Sequence, residues 1–162
     1  MKKEEFIDLI DSNRNLIYKI CHSYCPDPGK RQDLEQEILI QLWNSYPKFD
    51  GRVKISTWFY KVALSTAISF FRTDYRINKN LIYLDKTVIS EVAESITEKD
   101  DQYELLYAFI NRLTEFDKAL ILLYLDDLSY NDIAEIMGIS ESNVGTKLNR
   151  IRQKLKTQLK NL

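Results

Sequence analysis

The residues after Leu128 most constrain the fold, because two helical patterns there are separated by one short turn. Ser129 can cap a first helix, and Gly138 can end it in the left-handed conformation that glycine adopts without steric cost. Ser140 can cap the next helix, so the chain would reverse direction within about three residues. This layout is typical of a helix-turn-helix and points to DNA.

The second of these helices has two different faces. Val144, Leu148, Ile151 and Leu155 follow the helical period and are expected to face inward. The opposite face carries side chains that can hydrogen-bond base edges or phosphates, namely Ser142, Thr146, Asn149, Arg150 and Gln153. For an isolated helix the alternative is a solvated charged face. The capped helix and the tight turn before it favour DNA binding.

Charge is distributed unevenly along the chain. The whole sequence is nearly neutral, with 23 basic and 24 acidic residues, so no overall field attracts it to nucleic acid. Residues 103–141 hold two basic and eight acidic residues, whereas residues 142–162 hold six basic and no acidic ones. The positive charge is therefore concentrated on the second helix, where it can bind phosphates in a salt-dependent way.

Composition predicts an all-α protein with two small helical domains. Only 4 Gly and 3 Pro occur among 162 residues that are 44% hydrophobic, which favours long helices over turn-rich sheet. We expect one domain over 1–72 and a second, with the helix-turn-helix, over 103–162. Residues 73–102 have poor helical period and are predicted to form a flexible linker.

Three helices are predicted in the first domain. The first carries apolar residues from Phe6 to Tyr24, the second runs from about Arg31 to Ser45, and the third from about Ser56 to Arg72.

No feature of the sequence predicts catalysis, a cofactor or a metal site. Cys21, His22 and Cys25 lie within about one helical turn, yet His22 is the only histidine, so buried reduced thiols are favoured over a metal or redox site. No glycine-rich phosphate loop and no nucleophile with its base are apparent. We therefore do not expect an enzyme.

Cytoplasmic location without membrane insertion is expected. Glu4 and Glu5 interrupt the N-terminal stretch where a signal peptide would be apolar. The longest apolar run, from Ala119 to Leu125, is too short to span a bilayer.

Two helices of the first domain have unusual surfaces. The second helix combines acids, amides and an aliphatic residue on one face, which suits docking on a basic partner helix, although a solvated face is the alternative. The third helix mixes Trp58, Tyr60 and other rings with Lys54, Lys61 and Arg72. Aromatic rings beside cations suit unpaired bases, although most of these rings could instead belong to the core.

These residues resemble a known family over nearly the whole chain. Asp33-Leu34, Gln36-Glu37, Leu42-Trp43, Lys48-Phe49, Gly51 and the run Ser56 to Ala67 resemble region 2 of bacterial sigma factors of the extracytoplasmic-function group. Leu128 to Tyr130, Ile133-Ala134, Ile136 to Ser140, Val144, Arg150 and Arg152 resemble their region 4. Both sets occur in the family's order and are separated by the predicted linker.

The resemblance implies a promoter-specificity subunit that binds RNA polymerase core through the clamp helices of its largest subunit and through its flap. The implied polymerase-binding residues are Asp33, Gln36, Glu37, Ile40 and Gln41. The implied contacts to the minus-10 promoter element, including a flipped base, are Phe49, Trp58, Tyr60, Lys61, Ser65, Thr66, Ser69 and Arg72. The implied contacts to the minus-35 element are Ser142, Asn143, Thr146, Lys147, Asn149, Arg150, Gln153 and Lys154.

Regulation by an anti-sigma protein is also implied by the resemblance. Ser65 stands where the family often has Asn, and Gly145 stands where it often has Lys or Arg. The alternatives are a stand-alone helix-turn-helix regulator, which would bind duplex DNA without polymerase, and a helical adaptor without DNA dependence.

Overall fold

All regular secondary structure is helical in the parts described by the computed structural model, residues 3–77 and 99–160. Side chains are described for residues 3–73 and 105–160. Most of the flexible linker predicted over 73–102 lies outside the residues that the structure describes. Within them, no helix is both long enough and apolar enough to cross a membrane.

Within residues 3–77, four α-helices form the N-terminal half: α1 (Lys3–Ser12), α2 (Arg14–Tyr24), α3 (Pro28–Ser45) and α4 (Ile55–Ile77). The Asp27 side chain caps α3 by accepting a hydrogen bond from the Gly29 backbone N–H at 3.0 Å. A single 3₁₀ turn, Tyr46–Lys48, leads from α3 into the loop before α4.

The prediction of one continuous first helix was wrong, because the chain breaks between α1 and α2 at Asn13. The Asn13 amide donates to the Leu9 carbonyl at 2.8 Å, and the Ser12 hydroxyl donates to the Asp8 carbonyl at 2.7 Å. Such side chains compete with the backbone for carbonyls at a helix end. Ile7, which lies within the apolar stretch predicted from Phe6 to Tyr24, is 46% exposed.

Over residues 99–160, four α-helices form the C-terminal half: α5 (Lys99–Asn111), α6 (Glu115–Leu125), α7 (Tyr130–Met137) and α8 (Glu141–Lys160). Thr114 caps α6 by accepting from the Asp117 backbone N–H at 3.2 Å. Leu120 and Leu123 of α6 are buried beneath the helix-turn-helix.

Each half has a core of buried side chains from facing helices. The fully buried residues of the N-terminal half include Ile20, Leu34, Ile38, Leu42, Phe59, Ala63 and Ala67. Those of the C-terminal half include Ile110, Leu120, Ile133, Val144, Leu148 and Ile151. The two halves also pack against each other, with α4 against α6 and α7, and α2 against α5 and α6.

Candidate functional site

The helix-turn-helix has the predicted caps and turn. The Ser129 hydroxyl accepts from the Asp132 backbone N–H at 3.1 Å and begins α7. Gly138 ends α7 with φ 69°, the left-handed region that glycine occupies without strain. The Ser140 hydroxyl accepts from the Asn143 N–H at 3.1 Å and begins α8. The local sequence therefore sets the angle at which α8 leaves the turn.

Helix α8 buries one face and exposes the other. Val144, Leu148 and Ile151 are buried against α6 and α7. Seven of the eight predicted minus-35 residues are exposed on the outer surface: Ser142, Asn143, Thr146, Asn149, Arg150, Gln153 and Lys154. Lys147 is the exception, because it is half-buried and its ammonium lies 5.3 Å from the centre of the Phe116 ring. The exposed amide, hydroxyl and cationic groups form one continuous polar strip.

A contact that sequence reasoning missed ties α8 to its neighbours. The Arg152 guanidinium lies 4.5 Å from the centre of the Tyr124 ring and donates to the Tyr130 hydroxyl at 3.4 Å. Gly145 lies beside the Tyr130 ring, which would be in ordinary van der Waals contact, at 3.5 Å, with a Cβ at that position. Arg152 therefore packs within the C-terminal half, and no pattern of sequence spacing indicates that.

The predicted polymerase-binding residues share one surface of α3. Asp33, Gln36, Ile40 and Gln41 are exposed, with Ile40 at 51%, and Glu37 is half-buried. The Gln41 amide donates to the Glu37 carboxylate at 2.8 Å. An exposed aliphatic residue among acids and amides is a chemically suitable face for a partner helix.

The predicted minus-10 residues fall into three environments. Lys61, Ser65, Ser69 and Arg72 are exposed along α4. Phe49, Trp58 and Tyr60 are partly buried, and the Trp58 ring packs on Phe49, with ring centres 5.5 Å apart, as well as on Tyr46 and Phe59. Thr66 differs from the expected surface contact, since it is only 9% exposed and its hydroxyl donates to the Val62 carbonyl at 2.7 Å.

An open hollow of about 480 Å³ lies between α3 and α4. It brings together two predicted polymerase-binding residues and three predicted minus-10 residues, and its lining is Glu37, Gln41, Ser65, Thr66, Ser69, Phe70 and Thr73. Hydroxyl, amide and carboxylate groups around one aromatic ring can hydrogen-bond and stack a base. The sequence did not predict that these two sets of residues would line the same hollow.

Two predicted minus-10 residues contact the C-terminal half. The Tyr60 hydroxyl donates to the Asp126 carboxylate at 3.1 Å, and Arg72 Nε donates to the Glu115 carboxylate at 2.8 Å. Burial and the nearby Asp126 carboxylate raise the pKa of Tyr60, so its phenol remains a donor at neutral pH. The hydrogen bond from Arg72 lowers the pKa of Glu115 below its usual range.

Both cysteines are buried thiols. Cys21 and Cys25 lie on the inner side of α2 and at its end. Burial raises the pKa of the Cys21 thiol to about 12, so it stays protonated at neutral pH. This environment agrees with the packing role expected for the two thiols.

Two family models match the chain in the order of its helices. Sigma-70 region 2 matches residues 9–77, and Sigma-70 region 4 matches residues 103–155. The first match contains α2, α3 and α4, and the second contains α6, α7 and most of α8.

The curated relatives are sigma factors that align along most of their own length. The chain is 31% identical to the RNA polymerase sigma factor YlaC of Bacillus subtilis, over 79% of this chain and 76% of that protein. It is 28% identical to the ECF RNA polymerase sigma factor SigW of the same species, over 99% of this chain and 91% of that protein.

Two solved structures share the fold at lower sequence identity. CnrH in complex with the cytosolic domain of CnrY superposes with a TM-score of 0.71 at 16% identity, covering 99% of this chain and 90% of CnrH. The sigma factor RpoE in complex with the anti-sigma factor NepR from Bartonella quintana superposes with a TM-score of 0.70 at 20% identity, covering 97% of this chain and 98% of that one. From the two family matches and these relatives, the chain belongs to the extracytoplasmic-function group of sigma-70 family sigma factors.

Proposed function

We propose that this protein directs core RNA polymerase to specific promoters and initiates transcription there through two separate DNA contacts. The observation that carries the proposal is the presence of region 2 and region 4, in that order, in one chain. The protein would act in the cytoplasm as a specificity subunit and would perform no catalysis of its own.

The C-terminal contact is proposed to be the major groove of the minus-35 element. The support is the exposed polar strip of α8, which joins Ser142, Thr146, Asn149, Arg150 and Gln153 at the end of a capped turn. A helix placed in this way after a turn can present its first turns to base edges. Arg150 is the side chain best suited to a guanine, because its guanidinium can donate two parallel hydrogen bonds to the O6 and N7 atoms.

The N-terminal contact is proposed to be the single-stranded minus-10 element. Its support is the hollow of about 480 Å³ between α3 and α4, which is lined by Ser65, Ser69 and Phe70 of α4 and by Glu37 and Gln41 of α3. Lys61 and Arg72 lie on the same helix and can hold the phosphate backbone. A hollow that receives a flipped base would favour strand opening and sequence reading together.

The exposed face of α3 is proposed to bind polymerase core, through Asp33, Gln36, Glu37, Ile40 and Gln41. We also propose an anti-sigma protein as the regulator of this chain. The support comes from the two structural neighbours, since RpoE was solved with the anti-sigma factor NepR and CnrH with the cytosolic domain of CnrY. Such a regulator would cover the faces that polymerase needs.

A reconstituted transcription assay with and without core polymerase tests the proposal. We expect promoter-specific initiation only when core and this protein are both present, and weak duplex binding by the protein alone. Tight, sequence-specific duplex binding that does not depend on core would instead identify a stand-alone regulator. A protein whose addition changes neither DNA binding nor initiation would be an adaptor, and either result would overturn the proposal.

A further inference from the structure

The polar groups that line the hollow between α3 and α4 offer mostly hydrogen-bond acceptors. A hydroxyl group has one proton to donate, and three hydroxyls of the lining already donate theirs to carbonyls of α4. Ser65 and Thr66 both donate to the Val62 carbonyl, at 3.1 Å and 2.7 Å. Thr73 donates to the Ser69 carbonyl at 3.0 Å. The oxygens of these three hydroxyls therefore keep only lone pairs for a molecule in the hollow.

Glu37 adds the strongest acceptor of the lining. Its carboxylate has two oxygens and no proton to donate, and the Gln41 amide donates to Oε1 at 2.8 Å. Each carboxylate oxygen can accept more than one hydrogen bond, so acceptor capacity remains. Among the lining side chains, the donors left for a ligand are the second amide hydrogen of Gln41 and the Ser69 hydroxyl. Acceptors therefore outnumber donors.

The charge of the hollow favours a base over a phosphate. Glu37 is the charged residue among the seven that line it, whereas the exposed cation Lys61 of α4 lies outside the lining. The carboxylate would repel a phosphate group but attract the N–H groups of an uncharged base. Phe70 supplies an aromatic face on which such a base can stack. The group that enters the hollow is therefore expected to be a base edge that carries donors.

From this pattern of acceptors we infer that the hollow selects a base with an exocyclic amino group and rejects thymine. Cytosine, adenine and guanine each carry an amino group that can donate to Glu37, whereas thymine presents the O4 and O2 carbonyls in its place. Those carbonyls would lie against acceptors, and groups left without a partner cost binding free energy. The inference rests on the proposed minus-10 role of the hollow. It makes Glu37 and Ser65 specificity-determining residues for the minus-10 element.

Cytosine and deoxyuridine provide the comparison that tests the inference. On the Watson–Crick edge they differ in the amino or carbonyl group at C4 and in the N3 proton that accompanies the carbonyl. The probes are single-stranded oligonucleotides with the non-template minus-10 sequence of a promoter that the holoenzyme transcribes, each with cytosine or deoxyuridine at one position. Competition binding to holoenzyme, reconstituted from core polymerase and the full chain, gives the affinity ratio of the two bases at each position.

We expect the unaltered holoenzyme to prefer cytosine over deoxyuridine at one position by at least about fivefold. Glu37→Gln should lower that ratio at least about threefold, because an amide replaces the charged acceptor and brings donors that suit a carbonyl. Both bases are compared on the same holoenzyme, so a change in core affinity cancels from the ratio. Glu35→Gln makes the same chemical change at an exposed position on another side of α3 and should leave the ratio unchanged.

Ser65→Ala is a second variant, which removes one acceptor of the hollow from outside the proposed polymerase-binding face of α3. It should lower the same ratio by a smaller factor. Equal affinity for cytosine and deoxyuridine at every position would overturn the inference, and so would a ratio that neither Glu37→Gln nor Ser65→Ala changes. Holoenzyme that binds none of these oligonucleotides would refute the minus-10 role of the hollow itself, and the base selection with it.

Discussion

At the scale of single residues, Arg150 is the most specific prediction for the minus-35 contact. Arg150→Ala should reduce discrimination in favour of a guanine in the minus-35 element by about 1 to 3 kcal/mol, because it removes a bidentate donor. Promoter competition with core polymerase, using templates altered at single minus-35 positions, measures the effect. Lys156→Ala, another exposed cation of α8, is the matched control and should leave base preference unchanged. Unaltered preference in Arg150→Ala would mean that α8 is placed differently on the duplex.

Asp127 gives a prediction about stability alone. It follows Asp126, the C-cap residue of α6, and has φ 59°, a left-handed conformation that a side chain with Cβ adopts at a cost. Asp127→Gly should stabilise the fold by about 0.5 to 1 kcal/mol, since glycine adopts this conformation freely. Urea unfolding measures the change. A stability gain of the same size in Asp127→Ala would show that backbone conformation is not the cause.

At the scale of elements, Gly145 lies inside α8, where glycine weakens a helix. A Cβ at this position would meet the Tyr130 ring at 3.5 Å, an ordinary van der Waals distance. Gly145→Ala should therefore stabilise the protein by about 0.5 to 1 kcal/mol.

Gly138→Ala is the matched control for Gly145→Ala. It adds a Cβ that meets no other atom within 4 Å, but at φ 69°, so it should destabilise. Thermal unfolding of both variants should give shifts of opposite sign. Destabilisation by Gly145→Ala would indicate that the Tyr130 ring cannot adjust to the added methyl group.

Elements differ in how far the sequence determined them. The helix-turn-helix was predictable, because Ser129, Gly138 and Ser140 each have a strong local preference for the conformation found. The break at Asn13 was not, since it depends on hydrogen bonds from Ser12 and Asn13 side chains that compete with a strong apolar period. For the site, exposure on α8 followed from helical spacing. The burial of Thr66 did not, because its neighbours belong to another helix.

At the scale of the whole molecule, Glu37 links this chain to the polymerase. Glu37→Lys should weaken core binding while both halves stay folded, because it reverses the charge on a face proposed to meet a basic helix. Glu35→Lys makes the same charge change at an exposed position on another side of α3 and should bind core normally. Binding of each variant to immobilised core measures the difference. Normal affinity of Glu37→Lys would remove this residue from the docking surface.

Acid should open the contact between the halves. The pKa of Glu115 is lowered by the hydrogen bond from Arg72, by a hydrogen bond from its own backbone N–H and by the nearby charge of Lys118. The ionised form of Glu115 is therefore favoured while the halves are in contact. That contribution is fully present above the ordinary carboxyl range and is lost as pH falls through the lowered pKa. Energy transfer between one dye on each half should therefore fall between about pH 5 and pH 3. Glu115→Gln should show a smaller fall, and an equal one would assign the effect to other carboxyls.

The contact between the halves was the part of the molecule that the sequence could not predict. In the sequence, Lys118 is one of two basic residues in the acidic stretch 103–141. Its spacing does not indicate that its ammonium packs on the Tyr24 and Phe71 rings. Contacts between residues 90 or more positions apart depend on the assembled surface of each half. Local periodicity carries no information about that surface.

The hollow between α3 and α4 has a thermodynamic consequence. Glu37 and Gln41, hydrogen-bonded to each other, form its wall on one side, and Ser65 and Ser69 form the other. A polymerase helix that binds Glu37 would change the position and charge environment of the Glu37 and Gln41 side chains. A base bound in the hollow would contact the same side chains. Linkage is reciprocal, so if polymerase raises affinity for the minus-10 strand by some factor, that strand raises affinity for polymerase by the same factor. With such coupling, promoter DNA and polymerase would each change the affinity of this protein for the other.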